Sequence, residues 1–210
     1  MIYVIGIGPG DVDYLVPAAV KAVHKCTALA GGERALAMFN GDGWRKFRVT
    51  GELEQLRQYI ASELALNTNL GILVSGDPGF YSLLPFIRKH FPAAAIEVVP
   101  GISSLQVAFC RAGMVWQNAK LTSVHGRALT TLPTDPAQLL GLLTGAGSNS
   151  PQGIATYLLA QGPNRVVFLG ENLTYAEEKW CKVDLEQLAV QSCVYGNAVL
   201  IVLPAEEEEQ

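Results

Sequence analysis

Three short segments combine glycine with small polar residues, and each follows an apolar run of strand length. The first is Gly6-Ile7-Gly8-Pro9-Gly10-Asp11. Lacking a side chain, glycine lets the backbone come close to a ligand. A dinucleotide site would need G-x-G-x-x-G, with the third glycine packing a helix on the strand. Asp11 stands where that glycine would be, and Pro9 removes an N–H that a pyrophosphate would use. The segment therefore admits a ligand but is poorly made for pyrophosphate; its plain alternative is a tight strand-to-helix turn. The second segment is Ser75-Gly76-Asp77-Pro78-Gly79-Phe80-Tyr81-Ser82. Asp77 can accept hydrogen bonds from amino or hydroxyl groups, or can simply cap a helix. The third is Pro100-Gly101-Ile102-Ser103-Ser104. Its serines stand at a helix start, where free N–H groups favour an anion such as a carboxylate. One of them can equally serve as the cap.

The elements that must position these segments follow from hydrophobic periodicity. Strands are expected at 2–7, 27–30, 70–74, 95–99, 121–124, 142–144, 166–169 and 198–203. Helices are expected at 14–26, 52–65, 80–91 with a kink at Pro85, 103–112 closed by Gly113, 151–161 and 185–191. This alternation predicts an α/β fold with a largely parallel sheet in each of two domains, 1–114 and 119–204. An acidic tail at 205–210 is assigned no function. In open α/β sheets, ligands bind beyond the carboxyl ends of the strands, where all three glycine segments fall.

Composition narrows the function classes. A net charge of -4 over 210 residues argues against nucleic acid as the main partner. No apolar run reaches the roughly 18 residues that a membrane span needs. Charged residues are 16% of the chain against a usual ~25%, which predicts much buried surface, including a subunit interface. The four cysteines form no zinc-type spacing, so no metal is expected. They are read as reduced, mostly buried thiols of a cytoplasmic protein. The N-terminus has no basic stretch before its apolar run and is not read as a signal peptide.

Together, GIGPGD, SGDPGFYS and PGISS resemble the tetrapyrrole methylase family. Within it, Ser123-Val124-His125-Gly126-Arg127, the stretch from Leu143-Thr144 to Ser150-Pro151, and Gly170-Glu171-Asn172-Leu173 are similar to methyltransferases acting on carbon 5 of precorrin-7 or cobalt-precorrin-7. The resemblance runs over nearly the whole chain. It implies two α/β domains with S-adenosylmethionine held in the cleft between them, commonly a homodimer, and methyl transfer to a tetrapyrrole on the route to cobalamin. It further implies cofactor contacts at Pro9, Ser75, Gly76, Asp77, Phe80, Ser103 and Ser104. From the second domain, Leu143, Thr144 and Asn172 would face the adenine. Asp11, Tyr81, His125 and Arg127 are the positions implied for the substrate. The resemblance leaves open whether a separate subunit carries out methylation and decarboxylation at carbon 15.

A tetrapyrrole of this kind carries several carboxylates, so an acidic chain must gather cations locally. Arg127 with His125 is one candidate; Arg45-Lys46-Arg48 beside Trp44 is another, with a solvated loop as its alternative. Two positions depart from the family. Gly145, followed by Ala-Gly-Ser-Asn-Ser, stands where an acidic residue is frequent, and Thr174 stands where glycine is usual. The competing readings are methylation at another ring position, a protein methylase of the diphthine synthase type, a non-catalytic tetrapyrrole carrier and, more distantly, an NAD(P)-dependent oxidoreductase.

Overall fold

The computed structural model describes residues 1–41 and 43–205. The acidic tail expected at 205–210 therefore lies outside the described residues from 206 on. The chain forms two compact units, Met1–Ser103 and Ser104–Gln210.

In the first unit, the chain runs through β1 (Ile2–Gly6), α1 (Pro17–His24), β2 (Ala28–Gly31), α2 (Glu33–Ala37), β3 (Arg45–Arg48), α3 (Leu53–Ala65), β4 (Leu70–Val74), α4 (Leu84–His90) and β5 (Ile96–Val99). The five strands are all parallel, in the order β3-β2-β4-β1-β5. β1 and β4 are buried along their full length, as parallel strands covered on both faces must be. Alternation splits their side chains. Tyr3 and Ile5 join Ala19, Val23 and Leu36 in one core cluster, while Ile2 and Val4 join Leu56, Ile60 and Ile87 in another.

Several expected elements are corrected here. The helix expected from residue 80 starts at Leu84, because Tyr81 takes a positive φ of 49° and breaks the helical path. Pro85 then sits in the first turn, where its missing N–H has no helical partner to lose, so it does not act as a kink. Two elements of this unit were not expected, α2 and β3. The basic cluster forms β3 at the sheet edge. Arg45 reaches Glu63 at 2.6 Å and Arg48 reaches Glu33 at 2.9 Å, so both arginines tie this edge to helices.

The second unit contains α5 (Ser104–Ala112), β6 (Lys120–Ser123), β7 (Leu140–Leu143), α6 (Pro151–Leu159), β8 (Val166–Glu171), β9 (Lys179–Asp184), α7 (Leu185–Ala189) and β10 (Ala198–Val202). Its strand order is β6-β7-β10-β8-β9. Only β6 and β7 are parallel; the pairs β7–β10, β10–β8 and β8–β9 are antiparallel. The parallel sheet expected in this half is thus a mixed sheet. The strand β9, absent from the periodicity reading, is the reason. Glu171 pairs with Lys179, so the intervening connection is too short for the crossover of a dozen or more residues that parallel neighbours require.

Leu140, Leu142, Ile154, Leu158, Leu185, Leu188 and Leu200 form the core on the α6–α7 face. α5 packs on β10 and β7, and a Cβ at Gly141 would come within 3.0 Å of the Phe109 ring. The helix expected to close a domain at residue 114 therefore belongs with the second sheet. Of the cysteines, Cys26 is buried, and burial pushes its thiol up to about 12. Cys110, Cys181 and Cys193 are exposed, contrary to the expectation of mostly buried thiols.

Candidate functional site

β4, β1 and β5 are adjacent, so the three glycine segments leave three neighbouring strand ends. There the loops meet backbone to backbone. The Gly76 N–H donates to the Gly8 carbonyl at 2.8 Å, and the Ile7 N–H donates to the Val74 carbonyl at 3.0 Å. A Cβ at Gly6 would stand 2.6 Å from both the Gly101 nitrogen and the Gly76 oxygen, closer than real Cβ atoms come. A Cβ at Gly101 would overlap the same Gly76 oxygen. These glycines are required first by one another.

Asp77 completes this junction. One carboxylate oxygen accepts from the Gly79 N–H at 2.7 Å, the other from the Gly101 N–H at 3.1 Å. The side chain expected to hold a ligand's polar groups thus braces two loops, 24 positions apart in sequence. Asp11 likewise caps the short turn at Val12–Tyr14 by accepting from the Asp13 N–H at 2.8 Å. Ser75 is exposed, and Pro9, Gly76 and Phe80 are half-buried. Tyr81 is 42% exposed with its ring edge-on to Phe80 at 4.8 Å, and its positive φ is a local strain of the kind that collects at functional sites. Ser103 is half-buried; its Cα would lie 3.5 Å from a Cβ at Gly76. Ser104 opens α5.

The second-unit candidates share one end of their own sheet. The Val124 N–H donates to the Leu143 carbonyl at 3.0 Å. Thr144 is buried and its hydroxyl donates to the Ala198 carbonyl at 2.8 Å, while the Asn172 N–H donates to the neighbouring Asn197 carbonyl at 2.9 Å. His125 and Arg127 are exposed on a turn closed by the Arg127 N–H donating to the Val124 carbonyl at 3.1 Å. Gly126, at φ 67°, occupies the third position of that turn, the conformation a type II turn reserves for glycine.

Two further features lie beside these candidates. Glu171 is buried beside Asn172, accepting from the Gly196 N–H at 2.7 Å and from Lys179 at 3.1 Å. The Gly196 N–H, then Lys179, holds its carboxyl below the usual range. Thr174 takes φ 73°, so the backbone has a left-handed shape at the position where the resemblance led glycine to be expected. Its N–H donates to Glu178 at 2.6 Å, and Arg111 grips Glu178 at 2.7 Å, which also depresses the Glu178 carboxyl. That clasp holds a conformation costing a β-branched residue ~1–3 kcal/mol. Among the described residues, no group of three or more His, Cys, Asp or Glu side chains could hold a metal ion, and no helix is long and apolar enough to cross a membrane.

Comparison with known proteins gives this geometry its context. Residues 1–189 match the family of tetrapyrrole (corrin/porphyrin) methylases. The chain is 33% identical over 205 residues to the cobalt-precorrin-7 C(5)-methyltransferase of Salmonella typhimurium, covering 96% of this chain and 98% of that one. It is 32% identical over 210 residues to the probable cobalt-precorrin-7 C(5)-methyltransferase of Methanocaldococcus jannaschii, covering 93% and 97%. Uroporphyrin-III C-methyltransferase from Thermus thermophilus, solved with S-adenosylhomocysteine, shares the fold with a TM-score of 0.73 at 22% identity, covering 96% of this chain and 91% of that one. The chain, a methyltransferase by its relatives, belongs to the tetrapyrrole methylase family.

Proposed function

We propose that this protein transfers a methyl group from S-adenosylmethionine to carbon 5 of cobalt-precorrin-7 or its cobalt-free counterpart. The observation that carries the reading is the glycine junction at three adjacent strand ends, combined with near full-length similarity to enzymes named for that reaction. The residues present fit the methyl donor. Pro9 offers an edge without an N–H, Ser75 an exposed hydroxyl, Phe80 a ring, and Ser103 and Ser104 donors for a carboxylate. Leu143, Thr144 and Asn172 are assigned to its adenine side.

Bound there, S-adenosylmethionine supplies a methyl group already activated by its sulfonium. The acceptor carbon belongs to an electron-rich tetrapyrrole system and can attack the methyl directly, with S-adenosylhomocysteine leaving and one proton lost from the substrate, so the protein needs no nucleophile of its own. The side chains hold the two partners at attack distance, which can supply ~7–11 kcal/mol, and keep water away. Asp77 contributes by fixing the 75–80 and 100–104 loops relative to each other. Arg127 offers a planar fork that binds both oxygens of a substrate carboxylate, with Asp11, Tyr81 and His125 as further substrate contacts. The protein works as a homodimer in the cytoplasm, and a separate subunit handles carbon 15. In support of that division, the Salmonella relative is named for carbon 5 alone and is matched over nearly its whole length.

The test is incubation of the protein with cobalt-precorrin-7 and S-adenosylmethionine carrying an isotopically labelled methyl group. Mass spectrometry should find one labelled methyl in the product, and NMR should place it on carbon 5. A label on another carbon would redirect the assignment within the family; no transfer to any precorrin would refute it.

A further inference from the structure

We propose that Asn149 is a positioning residue for substrate recognition, bracing the turn that presents His125 and Arg127. The inference rests on the reading of Arg127 as a carboxylate clamp. The Asn149 amide donates to the Val124 carbonyl at 2.7 Å and to the Arg127 carbonyl at 2.8 Å, 25 and 22 positions away. Those two carbonyls bracket the His125-Gly126 step. One –NH2 group therefore fixes both ends of the turn from which both side chains leave. The Val124 carbonyl also accepts the Arg127 N–H at 3.1 Å, so the amide reinforces a bond already closing the turn.

The brace is itself held rigid. The Gly145 N–H donates to the Asn149 carbonyl at 2.8 Å, the Asn149 N–H to Ala146 at 3.1 Å and the Ser150 N–H to Gly147 at 3.0 Å, so residues 145–150 close on themselves. Ser150 then caps α6 by accepting from the Gly153 N–H at 3.2 Å, anchoring the loop to a helix of the core. Gly145 supplies the room. A Cβ there would be 3.1 Å from the Asn149 Cβ and 3.5 Å from the His125 Cα. The unusual glycine after Thr144 thus lets the 145–150 loop lie directly on the recognition turn. A guanidinium binds a carboxylate through two directed N–H donors, so its backbone must be held firmly for both to register.

The test uses the full chain, cobalt-precorrin-7 as substrate and S-adenosylhomocysteine as the probe of the cofactor site. Asn149→Asp keeps the size and removes the donor; Asn149→Ala is the second variant should the aspartate unfold the loop. The expected result is a roughly five- to tenfold rise in KM for cobalt-precorrin-7, with the Kd for S-adenosylhomocysteine within twofold of the parent. In an Arg127→Ala background the same change should add clearly less, only what passes through His125, since Asn149 acts through the two side chains of the turn. An unchanged KM in the single variants, an undiminished effect in the Arg127→Ala background, or parallel losses for both ligands with a lowered melting temperature would each overturn the proposal. If Arg127→Ala itself leaves KM unchanged, the clamp reading falls and this inference falls with it. If Arg127→Ala raises KM and the Asn149 variants do not, only the inference falls.

Discussion

At the scale of single residues, the glycine junction makes a demand that substitution can measure. Gly101→Ala places a methyl group into the Gly76 carbonyl, and neither neighbour is a flexible side chain. We expect it to cost about 1–3 kcal/mol of stability and to weaken S-adenosylhomocysteine binding, because the loops must move apart. Gly51→Ala meets open space and should change both by little. Chemical denaturation and calorimetric titration of the two variants check this; equal effects would show that the junction is not tight. The contrast also shows which part of the site is legible in sequence. Glycine clusters at strand ends can be read directly, because the need for a missing side chain is written in the residue type. The work of Asp77 cannot, because its second partner is a backbone N–H 24 positions away, a donor that every residue type but proline carries. Asn149 escapes notice for the same reason, since both its acceptors are backbone carbonyls.

At the scale of elements, the edge strand β3 shows how a charge cluster can be structural. Arg45 meets Glu63, whose side chain is only 5% exposed, while Phe47 stacks on Tyr59 at 4.4 Å to join strand and α3 on the apolar side. The hydrogen bond from Arg45 holds the Glu63 carboxyl below its ordinary range. A depressed carboxylate contributes stability that is present above the ordinary value of 4.5 and is lost as pH falls through its lowered value. Glu63→Gln should therefore lower the melting temperature at neutral pH, with the gap from the parent closing as the pH falls through the lowered Glu63 value. A gap that stays constant with pH would assign the effect to packing. In the sequence, β3 reads as a cluster for substrate carboxylates or as a solvated loop, and not as a strand, because an edge strand of charged residues lacks the alternation that marks a half-buried one. The strand β9 escapes for a related reason: its residues are mostly exposed or half-buried at the other sheet's edge. The central strands, buried on both faces, announce themselves as continuous apolar runs.

At the scale of the whole molecule, the division at Ser103 and Ser104 has an experimental consequence. Phe109 is 1% exposed and α5 lies over β10 and β7, so a fragment of residues 104–210 should fold cooperatively. A fragment beginning at 115, near the boundary that the glycine cap suggested, loses that cover, at ~1.5–3 kcal/mol for each large side chain left without a partner, and should not fold. Circular dichroism with thermal melting decides between the two cuts. The glycine-capped end of a helix is visible in sequence; which sheet the helix covers depends on long-range packing and is not. The glycine junction has a further bearing, on the order of events in folding. Gly6, Gly76 and Gly101 come from strands separated by most of the first unit's length, and parallel neighbours of this kind join late because long loops must close first. All three loops come together only once β4, β1 and β5 have paired, so the proposed capacity to bind the methyl donor should arise only with that three-strand centre of the sheet. In a refolding experiment, S-adenosylhomocysteine binding then serves as a clock for the pairing of those three strands, recovering after the helical signal has returned.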